Sequence, residues 1–177
     1  MLILIQYCNN KLQSTIMMNK DSHPLLAIAA EEVPPRTKPS IYPEPFASMM
    51  AGRQKHALGD FFGIKNFGVN LTRLAPGAQS ALLHKHKLQE EFIFILKGQP
   101  TLITETDDIQ LHPGMCAGFT PNGAAHQLVN WTADEVVYLE IGDRTQGDEV
   151  NYPADDLAAV FGDDGQWHFM HKNGMPY

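Results

Sequence analysis

Residues 82–98 read LLHKHKLQEEFIFILKG: two histidines one residue apart, two glutamates shortly after them, then a bulky apolar run closed by glycine. In a strand, residues i and i+2 face the same way, so His84 and His86 project onto one face while Lys85 and Lys87 point to the other. Lysine outside and histidine inside is the consistent assignment. The turn KLQE then brings a carboxylate back to the same place at the start of the next strand. Because EFIFIL is apolar on both faces, its parity leaves Glu90 and Glu91 equally eligible. A further imidazole comes from TPNGAAHQLVN, residues 120–130, where His126 stands just after a Pro/Gly turn at the mouth of another strand. Several imidazoles and a carboxylate converging on one interior point are expensive to bury unpaired. A bound metal ion removes that cost, and the combined pattern therefore predicts a metal site.

Outward from this stretch, residues 61–142 are a succession of short apolar runs separated by turn signals: FFGIKNFGVNLTRL, APG, EFIFIL, KGQP, TLITET, DD, IQL, HPG, MCAGF, TPNG, VVYLEIG. At least seven closely spaced strands are expected, which is the rhythm of an all-β barrel or sandwich. Residues 61–145 are read as that barrel. Residues 31–46, EEVPPRTKPSIYPEPF, carry five prolines and predict an extended N-terminal arm over 31–60. Residues 1–30 show no convincing period, and Met17 and Met18 offer alternative starting points, so that stretch is expected to be disordered or to precede the true start. Residues 146–177 form a C-terminal extension. There, NYPADDLAAVFG places Pro153 early, Asp155 and Asp156 in a first turn and Gly162 after the apolar residues, which predicts a short helix.

Thirteen basic against 20 acidic side chains give a formal charge of −7 with no basic stripe, which disfavours nucleic acid and anionic membranes and leaves a small molecule as the expected ligand. Two cysteines make no disulfide framework, and MLILIQYCNN is too short for a membrane span and lacks a basic leader, so a cytoplasmic protein is expected. Neither GxGxxG nor GxxxxGK[ST] nor HExxH occurs, so nothing supports nucleotide phosphate binding or that class of zinc site.

At these residues a family resemblance emerges. Gly77, the LHKH segment with His84 and His86, Glu91 and Gly98 resemble the first motif of the cupins, and PNGAAHQLVN, from Pro121 through Gly123 and His126 to Asn130, resembles the second. Two spacings depart from the pattern: six residues rather than five separate Gly77 from His84, and six separate Gly114 from Pro121. The 14 residues between Gly98 and Pro113 resemble the spacing of compact microbial cupins. The likeness extends through residues 33–177, to one group of small bacterial cupins without an established substrate. It implies a double-stranded β-helix, or jelly-roll, barrel and the metal ligands His84, His86, Glu91 and His126, with Glu91 rather than Glu90.

Mixed imidazole and carboxylate ligands suit one divalent metal among iron, manganese, nickel, cobalt and zinc. A six-coordinate ion would keep two open positions for a bidentate oxygen ligand, as a dioxygenase, isomerase or decarboxylase requires. The alternative is a non-catalytic module holding a small molecule or carbohydrate. By strand parity Leu82, Ile93, Ile95, Leu128 and Asn130 face inward with the ligands, and Asn70, Thr72 and Cys116 are further candidates for substrate contact. A narrow, largely apolar cavity without an arginine clamp is expected, which disfavours phosphorylated sugars. Trp167 and Tyr177 are expected to cover apolar barrel surface. An open sheet edge and the proline-rich arm suggest a homodimer.

Overall fold

The computed structural model describes residues 26–38 and 40–177. The expectation for residues 1–25 lies outside the described residues. The fold is all-β, built from antiparallel strands around an internal cavity. One sheet has the order β1 (Arg53–Ala57), β2 (Phe67–Leu74), β9 (Val136–Asp143), β4 (Glu91–Lys97), β7 (Cys116–Phe119). A four-stranded sheet runs β12 (Trp167–Met170), β11 (Leu157–Phe161), β10 (Glu149–Tyr152), β3 (Lys85–His86), and a three-stranded sheet runs β6 (Asp108–Gln110), β5 (Thr101–Thr104), β8 (His126–Val129). An antiparallel bridge between His84 and His126 joins these last two into one continuous face. That face and the five-stranded sheet enclose the cavity, as in the expected jelly roll.

Why these segments are strands follows from their burial. In β4, Ile93 and Ile95 are buried, while Phe92 and Leu96 are exposed on the other side. Ile93 and Ile95 pack with Leu74, Leu102, Leu128, Val136 and Tyr138, a cluster drawn from the five-stranded and three-stranded sheets. Burying a side chain of this size contributes about 1.5–3 kcal/mol, so a handful of such residues decides which face turns inward. A second cluster, with Phe46, Met50, Leu82, Val150, Tyr152, Leu157 and Ala159, packs the N-terminal segment onto the C-terminal sheet.

Register across the first sheet sets three rows on its inner face. Paired residues share a side, giving Gly68–Gly142–Glu91–Phe119, then Asn70–Glu140–Ile93–Ala117, then Lys55–Thr72–Tyr138–Ile95. The polar site and the apolar floor are neighbouring rows of the same sheet.

Two expectations are corrected. The arm expected over residues 31–60 does not run the length of that segment: Val33, Phe46 and Met50 lie buried against the barrel and Pro35 bridges to His56, but the end of the segment, β1, is an edge strand of the main sheet. Proline has no N–H to give a ladder, but RQKHA, beyond the last proline of the segment, supplies a complete strand. The short C-terminal helix is absent among the described residues. Residues 153–156 form a turn instead, and Leu157–Phe161 is β11, paired with β10 and β12. Leu157 and Ala159 are buried with a period of two, so packing against a sheet overrides the modest helix preference of LAAVF. Asp156 bonds the Lys172 N–H and His171 instead of favouring a helix start.

Gly98, which follows β4 after a register shift, has φ +81°, and a Cβ there would lie 2.7 Å from the Glu135 carbonyl oxygen and 2.9 Å from the Val136 Cα. Neither backbone atom can move without disturbing β9. Gly98→Ala is expected to lower stability by about 2–4 kcal/mol, read in urea as a lower midpoint at unchanged slope.

Candidate metal centre

β3 and the bridge residue before it present His86 and His84 toward β4, whose first residue is Glu91. The ligand atoms of His84, His86 and Glu91 all lie within 4.8 Å of one another, positioned to bind a metal. Glu91 Oε2 sits 3.4 Å from His84 Nε2, 3.5 Å from His86 Nε2 and 2.9 Å from His126 Nε2. The His84 and His126 backbones exchange both hydrogen bonds, N to O at 3.2 and 2.8 Å, so their side chains leave the sheet on the same side. Their ring centroids are 4.7 Å apart.

Each ring is oriented from behind. His84 Nδ1 is 2.9 Å from the Leu82 carbonyl oxygen, which can only accept, so Nδ1 carries a proton and Nε2 is turned inward toward Glu91. His86 Nδ1 is 2.5 Å from the Asp148 carboxylate. Asp148 is fully buried and also accepts from the N–H groups of Leu88 (2.7 Å) and Gln89 (3.2 Å). His126 stacks on Phe119, with centroids 3.4 Å apart and planes 3° from parallel. His84, His86 and Glu91 form a donor set that a divalent first-row metal fits, and His126 Nε2 lies beside it on Glu91 Oε2.

Electrostatics agree with this packing. Burial pushes the Glu91 carboxyl up, but hydrogen bonds from His126 and His84 outweigh it and hold the group well below its usual range. For His126 burial dominates and lowers its value, favouring the neutral imidazole that metal binding needs. His86 is also pushed down by burial, but its bond to Asp148 and the charge of Glu91 more than compensate and raise it.

The surrounding cavity has a volume of ≈ 1010 Å³ and is not the narrow apolar pocket expected. Arg36, Lys38, Arg53, Lys55 and Arg144 all contribute to its wall. Lys55 Nζ lies 2.6 Å from Glu140 Oε1, which also accepts from Asn70 Nδ2 at 3.1 Å, and the Tyr138 hydroxyl donates to Oε2 at 3.3 Å. Burial lowers the Lys55 ammonium, and Glu140 offsets part of that shift.

Of the further candidates, Asn70, Ile93 and Leu128 line this cavity. Leu82 is buried in the second apolar cluster, Ile95 is fully buried in the first, and Thr72 is fully buried in register with Tyr138. Asn130 is fully buried and donates to the Leu74 and Asp134 carbonyls, a structural role. Cys116 is exposed, because alternation along β7 turns Ala117 and Phe119 inward instead. Trp167 packs on the second cluster and also reaches the cavity wall, while Tyr177 stacks on His171 outside it. Asp148, Lys55 and Glu140 were missed. Glu140 alone had a usable signal, a carboxylate in the middle of the apolar VVYLEIG run.

Asp148→Asn is expected to weaken metal binding about 10–100-fold, measured by competition with a chromophoric chelator. Without metal, the same pair leaves a pH signature. Asp148 is pushed up by burial but held below 3.8 on balance by His86 and backbone N–H groups, so its contribution is complete above 3.8 and lost as pH falls further. His86 is raised above 6.5, so its contribution is complete below 6.5 and lost as pH rises through the folded-state value. The stability gap between wild type and Asp148→Asn, measured by urea unfolding of metal-free protein, is expected to be widest between pH 3.8 and 6.5 and to narrow on both sides.

Comparison with known proteins accords with the geometry. The sequence pattern of the family described as Cupin domain matches residues 70–142. The crystal structure of a sugar phosphate isomerase from a cupin superfamily, from Silicibacter pomeroyi, is 34% identical, with 85% of this chain and 96% of that one covered at a TM-score of 0.80. A protein from Acidithiobacillus ferrooxidans with the provisional name sugar phosphate isomerase is 31% identical, with 71% and 80% covered at a TM-score of 0.65. No functionally curated protein matches the chain. No helix among the described residues is long and apolar enough to cross a membrane. With its strand order, converging histidines and these relatives, the chain belongs to the cupin superfamily.

Proposed function

We propose that this cupin is a metal-dependent isomerase interconverting small hydroxy-carbonyl compounds of the sugar phosphate class. The observation that carries the reading is that one cavity holds both the His84, His86, Glu91 cluster and a second, fixed carboxylate, Glu140. Glu91 and Glu140 are diagonal neighbours on the inner face of β4 and β9, since Ile93 pairs with Glu140 and Glu91 with Gly142. Aldose–ketose interconversion moves one proton from the hydroxyl-bearing carbon to the adjacent carbonyl carbon and a second from that hydroxyl to the carbonyl oxygen, and needs a base beside the carbon that loses its proton. A divalent ion held by His84, His86, Glu91 and His126 would supply Lewis acidity toward the carbonyl and hydroxyl oxygens.

The chain's own groups account for the rest. Glu140 takes the proton and returns it to the neighbouring carbon; Lys55 and Asn70, both on Oε1, and Tyr138 on Oε2 fix its carboxylate plane. Ile93 and Leu128 in the wall limit water around the transferred proton. The two relatives named as sugar phosphate isomerases support the substrate class.

The test is proton magnetic resonance in deuterium oxide with metal-loaded protein and a panel of aldose and ketose phosphates. Deuterium is expected to enter the carbon next to the carbonyl, and Glu140→Gln is expected to slow exchange about 100-fold or more while metal content stays the same. Loaded protein that binds the panel but exchanges nothing would contradict the isomerase and support the non-catalytic binding module.

A further inference from the structure

We infer that Arg144, flanked by Arg36, forms an anion subsite at the far end of a glycine-floored channel that starts at Glu91. The inference rests on the proposed function only for the molecule that spans the channel; the anion subsite stands on its own geometry. The row Glu91–Gly142–Gly68 crosses three neighbouring strands of the inner face, and the two positions beyond Glu91 carry no side chain. A Cβ on Gly142 would meet the Glu91 Cγ at 3.6 Å, so glycine leaves room beside the carboxylate. A Cβ on Gly68 would meet Arg144 Nη2 at 3.5 Å, which places the guanidinium over that end of the floor.

Arg36 reaches the same carboxylate, its Nη2 3.4 Å from Asn70 Oδ1 and 3.6 Å from Asp60 Oδ2. Arg144 pairs with Asp60 Oδ1 through Nη2 and donates Nη1 to the Ile64 carbonyl at 3.2 Å. Two guanidinium groups therefore share one carboxylate, leaving one positive charge uncompensated by Asp60 at the cavity wall. Both arginines keep a large exposed fraction, 45% for Arg36 and 33% for Arg144, so further donors stay accessible to a ligand.

Length then selects the occupant. Two inter-strand steps of ~4.8 Å put the arginine end roughly 10 Å from the metal ligands. That span suits an extended chain of five or six carbons with a hydroxy-carbonyl at one end and a phosphate at the other. It is too long for free phosphate to touch both ends. The residues lie on strands or immediately beside them, where the backbone is held by the Arg144 N–H to the Asn66 carbonyl at 3.1 Å.

Isothermal titration with inorganic phosphate tests the subsite, using wild type, metal-stripped wild type, Arg144→Gln and Asp60→Asn, with ribose 5-phosphate as a second probe. Phosphate is expected to bind stripped and loaded protein equally, to weaken about tenfold in Arg144→Gln, and to tighten about threefold or more in Asp60→Asn, where a competing carboxylate is removed. The gain in Asp60→Asn cannot arise from damaged folding. Ribose 5-phosphate is expected to bind loaded protein about tenfold tighter than phosphate does, because it reaches both ends. Phosphate binding that disappears on metal removal and ignores both substitutions would overturn the subsite, as would a weaker affinity in Asp60→Asn. Phosphate bound at the arginines by a protein that catalyses no exchange would leave the subsite standing and the isomerase rejected. Equal affinity for the two probes would overturn the channel.

Discussion

The reciprocal pair of backbone hydrogen bonds between His84 and His126 is the constraint on which the rest depends. It welds the four-stranded and three-stranded sheets into one face of the barrel. It also forces two imidazoles side by side into the interior. A hydrogen-bonded antiparallel pair holds its Cα atoms about 5.5 Å apart, so two ring nitrogens can reach one point without strain in either strand. Fold closure and ligand convergence are thus one event. A substitution that parts these strands removes the site and the sheet together.

Convergence alone would be unfavourable, since three rings and a carboxylate lose water as the sheets close. The protein meets this by satisfying each group from behind. Leu82 and Asp148 accept the outer protons of His84 and His86, Phe119 covers the face of His126, and the inner nitrogens crowd around Glu91. The same economy governs the second polar row, where Lys55, Asn70 and Tyr138 all point their donors at Glu140. Buried charge in this barrel comes in locally satisfied sets, and each set faces the cavity.

How legible this was depends on the range of the interaction. Alternation in LLHKHK and EFIFIL, with their turn residues, disclosed strands and the inward direction of His84 and His86, because those signals are local. The choice of Glu91 over Glu90 was not local: it came from the family likeness, and the structure agrees in placing Glu91 at the focus of the rings. Strand β1 was read as part of an arm because RQKHA has no apolar alternation. Its inward residues are Arg53, Lys55 and Ala57, which pair in register with Leu74, Thr72 and Asn70. Misreading that strand hid the cationic wall and made the cavity look apolar. Asp148 reaches His86 across 62 residues of sequence, a contact that no periodicity encodes. Leu157–Phe161 failed differently: its two alanines fit helix or strand, and only pairing with its neighbours decides between them.

The central claim is that His84, His86, Glu91 and His126 together hold one divalent cation. Elemental mass spectrometry on untagged protein, reconstituted with manganese, iron, cobalt, nickel or zinc and then gel-filtered, tests it most directly alongside Glu91→Gln and His126→Ala. The account predicts about one equivalent of metal per chain in the wild type and near-complete loss in both variants with the fold intact. Wild-type protein that stays metal-free after reconstitution, or variants that retain the full equivalent, would contradict it.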